Sequence, residues 1–184
     1  MVHEVYLLIA LLVIAGVFSL RRVRIGIREL SKYWGKMVVT CPENQQTAAV
    51  EVSAGRAALG AIVGSEQVEL CSCTRWPEKE DCGQECLGEI ERDPESHRLW
   101  TIASHWYAGK NCVYCKKPIG KVKHIEHQAA LLNPDQTTVE WDEVPAEKLP
   151  DMLKTAEPVC WGCYVTETFR REHSEWVVER PWKH

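Results

Sequence analysis

The chain has 184 residues, 45% of them hydrophobic, with 22 Lys and Arg against 26 Asp and Glu for a formal net charge of −4. That length holds one domain or two small ones, and the acidic balance argues against a nucleic-acid partner, since a module that grips phosphates presents a basic face. Nine cysteines are too many for an ordinary core of this size, and an odd total with Cys-x-x-Cys spacing fits metal thiolates in a reducing compartment better than a secreted disulfide framework.

From Val5 to Leu20 no residue carries a charge. As a helix this run spans about 24 Å, slightly short of a ~30 Å bilayer core unless flanking Val2 and the stems of Arg21 and Arg22 extend it. His3 and Glu4 precede it in place of lysines and no small-x-small cleavage site follows, so an uncleaved anchor at residues 1–20 is expected rather than a signal peptide. Arg21, Arg22, Arg24, Arg28, Lys32 and Lys36 lie just after it, which by the positive-inside rule places the rest of the chain in the cytoplasm. Val23, Ile27, Leu30, Trp34 and Met37 recur at spacings of four, three, four and three, which predicts a basic amphipathic juxtamembrane helix over 21–37. Contact with anionic lipid or with a partner's membrane helix is a further expectation for it.

Past residue 37 the charge reverses, with 16 Lys and Arg against 24 Asp and Glu. Residues 38–109 are expected to form a cysteine-rich subdomain. Short strands are predicted at Val38–Cys41, Ala49–Val52 and Val68–Cys73, with Arg56 to Val63 a small-residue connection. Cys82 and Cys86, followed by Leu87 and Ile90, are four apart, which on a helix puts both sulfurs on one face. Cys41, Cys73, Cys82 and Cys86 are then the candidate ligands of one metal site. Cys71 and Cys73 sit ~6.6 Å apart along a straight strand, too far for two ligands of one tetrahedral ion without a bend; the alternative set takes Cys71 in place of Cys41. Asp93 before Pro94, followed by Leu99, Ile102, Ala103, Trp106 and Tyr107, predicts a capped helix that ends at Gly109 and joins the two cysteine groups into one core.

Residues 110–184 carry the strongest signal. Cys112-Val113-Tyr114-Cys115 and Cys160-Trp161-Gly162-Cys163 are two Cys-x-x-Cys pairs, and a two-residue gap lets successive thiolates turn onto one ion at about 2.3 Å. Lys116, Lys117, Lys121 and Lys123 read as a solvated hairpin face, and His124 and His127 as surface residues with no nucleophile beside them. Ala129–Leu132, the turn Asn133-Pro134-Asp135-Gln136 and Thr137–Val144 predict a hairpin. Pro145–Lys154 predicts a short helix. The run from Tyr164 to His173 lacks Gly and Pro, so the last pair should sit in the first turn of a helix.

A knuckle hairpin followed by a ligand pair at a helix start resembles the treble-clef and zinc-ribbon class of metal-binding domains, over residues 110 to 175. The resemblance implies metal binding and no particular activity. Lys116 and Tyr164 stand where ribbon knuckles commonly have Gly. The fold class expected is therefore α+β: a transmembrane helix, then a small metal-stabilised domain of short antiparallel hairpins and helices with two zinc ions. The function expected is that of a non-enzymatic, membrane-anchored zinc-binding accessory or interaction protein, for instance a small subunit of a membrane complex. The alternative is electron transfer by an iron tetrathiolate or iron–sulfur cluster, because an S4 shell holds iron as well as zinc. A thiol-disulfide oxidoreductase is a third reading, without the βαβ context that motif normally occupies. No catalytic triad, phosphate loop or paired catalytic carboxylates occur in the sequence.

Overall fold

The computed structural model describes residues 2–65, 68–78, 82–122 and 129–176. The chain divides into two compact units, Met1–Arg98 and Leu99–His184. The division falls before the boundary expected between 109 and 110, and each unit has its own core.

The first unit begins with α1 (Val2–Lys32), about 46 Å long at ~1.5 Å per residue. Its side chains from His3 to Leu20 are all exposed, and the helix is long and apolar enough to cross a membrane. There is no break between an anchor and a juxtamembrane helix: the 3.6-residue apolar period of Val23, Ile27 and Leu30 simply continues α1. The helix stops at Lys32 and not at residue 37, because Gly35 takes φ +96, a conformation open to Gly at no steric cost. The chain turns there into β1 (Lys36–Thr40), where Met37 is fully buried.

β1 pairs antiparallel with β2 (Thr47–Val52), Val38 facing Ala49, and β2 pairs antiparallel with β3 (Leu70–Cys73), giving the order β1-β2-β3. The stretch expected as a connection is a helix, α2 (Ala54–Val63), closed by Gly64 in the left-handed region. It packs on α1 at Gly26, where an added Cβ would stand 2.6 Å from Ile62 Cδ1, and the Arg22 guanidinium donates to the Ile62 carbonyl. The small residues of both helices allow this approach. α3 (Leu87–Arg92) and the single turn α4 (Pro94–His97) complete the unit, with Tyr33, Met37, Val50 and Ile90 in its core.

Asp93 caps α4 as expected, its Oδ1 accepting from Ser96 N at 3.4 Å. The helix then breaks at Arg98 (ψ 129), which forms a bridge with Met37 and an ion pair with Glu95 at 3.0 Å, while its guanidinium donates to the Ser31 carbonyl. α5 (Leu99–Tyr107) starts afresh in the second unit, where Ala103 and Tyr107 join that unit's core, so it does not merge the two cysteine groups into one core.

In the second unit β4 (Ala129–Leu132) is buried along its whole length, between β5 (Thr138–Glu140) and β6 (Glu157–Cys160), both antiparallel to it. The β4–β5 hairpin turns where expected. Asp135 accepts from Thr137 N at 3.0 Å and from its hydroxyl at 2.6 Å, a side-chain turn bond that favours this loop. α6 (Leu149–Thr155) and α7 (Trp161–Glu172) follow, and a 3₁₀ turn at Ser174–Trp176 ends the described chain. Leu131, Leu149 and Val159 are fully buried with Tyr107. Lys123, His124 and His127, expected at the surface, lie outside the described residues.

Candidate metal centre

The segment 112–117 folds back on itself. Cys112 N donates to Lys117 O at 2.9 Å, and Lys116 N donates to Cys112 O at 2.9 Å. Lys116 takes φ 60, so a lysine occupies the left-handed position where Gly is usual. Val113 N donates to Pro158 O at 2.9 Å, tying this knuckle to β6. Cys160 ends β6 and is the N-cap of α7, and Cys163 lies in its first turn, as the sequence predicts. The sulfurs of Cys112, Cys115, Cys160 and Cys163 all lie within 4.8 Å of one another, with Cys115 and Cys160 Sγ 3.8 Å apart. Neighbouring thiolates on one tetrahedral ion at ~2.3 Å are separated by about 3.8 Å.

Electrostatics divide the four. Burial opposes ionisation of Cys112, but the amides of Cys160, Cys115 and Tyr114 donate to its sulfur and bring its thiol down to about 6; the Cys160 N–Sγ distance is 3.3 Å. Burial pushes the Cys160 thiol up, helped by the sulfurs of Cys112 and Cys115. Cys163 is raised further, again by burial first and then by its three sulfur neighbours. Four sulfurs crowded at this distance repel as thiolates, and a divalent cation among them removes the repulsion. The set is complete in itself, which suits a closed structural site rather than a catalytic one with an open position.

Two compact sites were expected and the structure assembles one: among the described residues, this is the one set of His, Cys, Asp or Glu ligand atoms gathered within 4.8 Å. The physical reason lies partly at Cys82. The four-residue spacing predicts one helix face shared with Cys86, but α3 begins only at Leu87 with Cys86 as its N-cap, and Gln84 between the two cysteines takes φ 54. Cys41, Cys73, Cys82 and Cys86 instead line a cavity of about 250 Å³ together with Arg75 and Gln84. Cys71 does not line it. A register shift between Glu51 and Val52 leaves Cys71 without a strand partner, and its exposed thiol donates to Glu51 O at 3.4 Å. Arg75 Nη1 lies 2.8 Å from Cys41 Sγ; sequence reasoning passed over this residue, although it stands two positions after Cys73.

No protein-family profile, no curated protein and no solved structure matches the chain. What the fold and site define is a class: an α+β chain with a long apolar helix near its N-terminus and one cysteine cluster with metal-ligand geometry.

Proposed function

We propose that this is a membrane-anchored, cytoplasm-facing zinc-binding accessory or interaction protein whose second unit is a treble-clef-like domain. The observation that carries the metal reading is the convergence of Cys112, Cys115, Cys160 and Cys163 within 4.8 Å at the root of a knuckle and a helix. In this reading the ion adds to the apolar core of the second unit by fixing the knuckle to the start of α7. α1 lies in the bilayer, with Arg21, Arg22, Arg24, Arg28, Lys32 and Lys36 on the cytoplasmic side. An interaction role is supported by apolar side chains left open in the second unit: Tyr114 is 41% exposed, Phe169 46% and Trp176 67%. His173 stacks on Trp176 at 4.8 Å. Exposed aromatic surface of this kind suits docking to a protein partner such as a larger membrane complex.

Redox catalysis at Cys112-Val113-Tyr114-Cys115 is disfavoured because the acidified thiol is the buried one. Cys112 is 0% exposed, whereas an attacking thiolate must be reachable. Metal analysis with an absorption spectrum of protein purified without added metal tests the reading. Zinc and no visible band support it; iron with thiolate charge-transfer bands replaces it with the electron-transfer alternative.

A further inference from the structure

The first unit contains a second knuckle that a motif search does not see. Cys41 N donates to Gln46 O at 2.8 Å and Gln45 N donates to Cys41 O at 2.8 Å, the same two bonds, at the same sequence offsets, that close Cys112–Lys117. Gln45 takes φ 58 where Lys116 takes φ 60. The amides of Glu43 and Asn44 donate to Cys41 Sγ, as those of Tyr114 and Cys115 donate to Cys112 Sγ. One thing differs: the position that holds Cys115 in the one knuckle holds Asn44 in the other. A knuckle with a single sulfur needs its remaining ligands from elsewhere, and the cavity beside it supplies three more.

We propose that Cys41, Cys73, Cys82 and Cys86 form a second thiolate metal site, for a zinc- or iron-class ion or an iron–sulfur core. Cys41 leads from β1 into the knuckle, Cys73 ends β3 with its Cα paired to Val50 of the central strand, Cys82 lies in the following loop, and Cys86 caps α3. A cysteine at a helix N-cap opposite a knuckle is also the arrangement of Cys160 and Cys112. All four face one cavity of about 250 Å³, ample for an ion, and Cys86 is 8% exposed. Four thiolates around a divalent ion leave two negative charges, and the Arg75 guanidinium, 2.8 Å from Cys41 Sγ, offsets one; donors of this kind outside the ligand shell strengthen thiolate sites. The sulfurs are spread more widely than in the Cys112 set, so they either close on a single ion or embrace a polynuclear core. Both use the same four-thiolate chemistry.

The test uses the full chain in detergent, purified anaerobically, with zinc and iron counted per chain. Wild type is expected to carry the metal of two sites, Cys82→Ser and Cys73→Ser to lose one site's share, and Cys71→Ser to lose none. Zinc without visible bands identifies a single ion here, and iron with sulfide identifies a cluster. Folding of the variants is bypassed by alkylating native wild type: Cys71 labels at once, while Cys41, Cys73, Cys82 and Cys86 label only after a strong chelator is added. Labelling of Cys82 as fast as Cys71 without chelator overturns the proposal. So does a single metal equivalent that is lost in Cys112→Ser and kept in Cys82→Ser, a result that leaves the reading of the first centre intact.

Discussion

Replacing Cys112 by Ser should unfold the second unit. The wild-type sulfur is fully buried and accepts from Cys160 N at 3.3 Å, a bond across the joint between the knuckle and the helix that carries Cys163. Removing it leaves three thiolates and an open position. A structural zinc contributes about 10–16 kcal/mol to the folding of the domains it closes, so losing even a quarter of that is ~3 kcal/mol. Amides that no longer reach a shorter Ser Oγ add about 1–3 kcal/mol each where they stay buried. Together these approach the whole margin of a small domain, ~5 kcal/mol at its lower end. The assay is zinc content with tryptophan emission and thermal unfolding. Trp106, half-buried with its indole N–H on Leu153 O at 2.8 Å, should shift to the red in the variant, and in wild type on addition of a strong chelator. A Cys112→Ser protein that keeps its melting temperature, its proteolytic resistance and its blue emission would refute the structural role of the site.

Zinc binding to the Cys112 set should be coupled to protons in a way that depends on which thiols hold them. With Cys112 already down at about 6 while burial keeps Cys160 and Cys163 raised, fewer than four protons should leave at about pH 7.5, and affinity should fall as pH falls because protons compete for the sulfurs. As pH passes down through about 6, Cys112 also becomes protonated and the number released rises; calorimetry in two buffers of different ionisation enthalpy reads it, and four protons at the higher pH would contradict an ionised Cys112. At Lys116, φ 60 makes Lys116→Gly neutral or stabilising by up to ~1 kcal/mol, whereas Lys116→Val should cost about 1–2 kcal/mol, both read by chemical denaturation with zinc present. In the first unit Gly26→Ala meets only the end of the Ile62 side chain and should be tolerated, but Gly26→Leu should destabilise the α1–α2 contact by ~1–3 kcal/mol, seen as faster trypsin cleavage after Arg56. Digestion of vesicles of known orientation checks the topology: the chain past Lys36 should be cut only from the cytoplasmic side, and cleavage from outside intact cells would reverse the reading.

The parts of this fold that were legible from the sequence are those whose cause is local. Two Cys-x-x-Cys pairs turn their own sulfurs inward, the Asn133–Gln136 turn is held by the Asp135 side chain bonding to the next residue but one, Thr137, and most of α7 is the run from Tyr164 without Gly or Pro. What escaped depends on partners far along the chain. β6 is four residues long with one fully buried side chain, Val159, and is a strand because β4 pairs with it. α2 looked like a connection because its Ala and Gly residues give little apolar signal, yet those small residues are what let it approach Gly26 of α1. The break at Arg98 goes with its contacts to Met37 and Ser31, neither of which a helical period can reveal.

The knuckle at Cys41 shows the same limit in its sharpest form. A spacing motif records where side chains fall, but a knuckle is a backbone turn: amides aimed at a sulfur, a left-handed residue four positions on, and a closing pair of bonds. Cys112–Lys117 has both the turn and the second cysteine, so the motif betrays it. Cys41–Gln46 has the turn with Asn44 in the second cysteine's place, and Cys73, Cys82 and Cys86, which the sequence offers only at irregular spacings, line the cavity beside it. On the proposal made above, the turn at Cys41 serves as the turn at Cys112 does, its amides holding a thiolate against a cation.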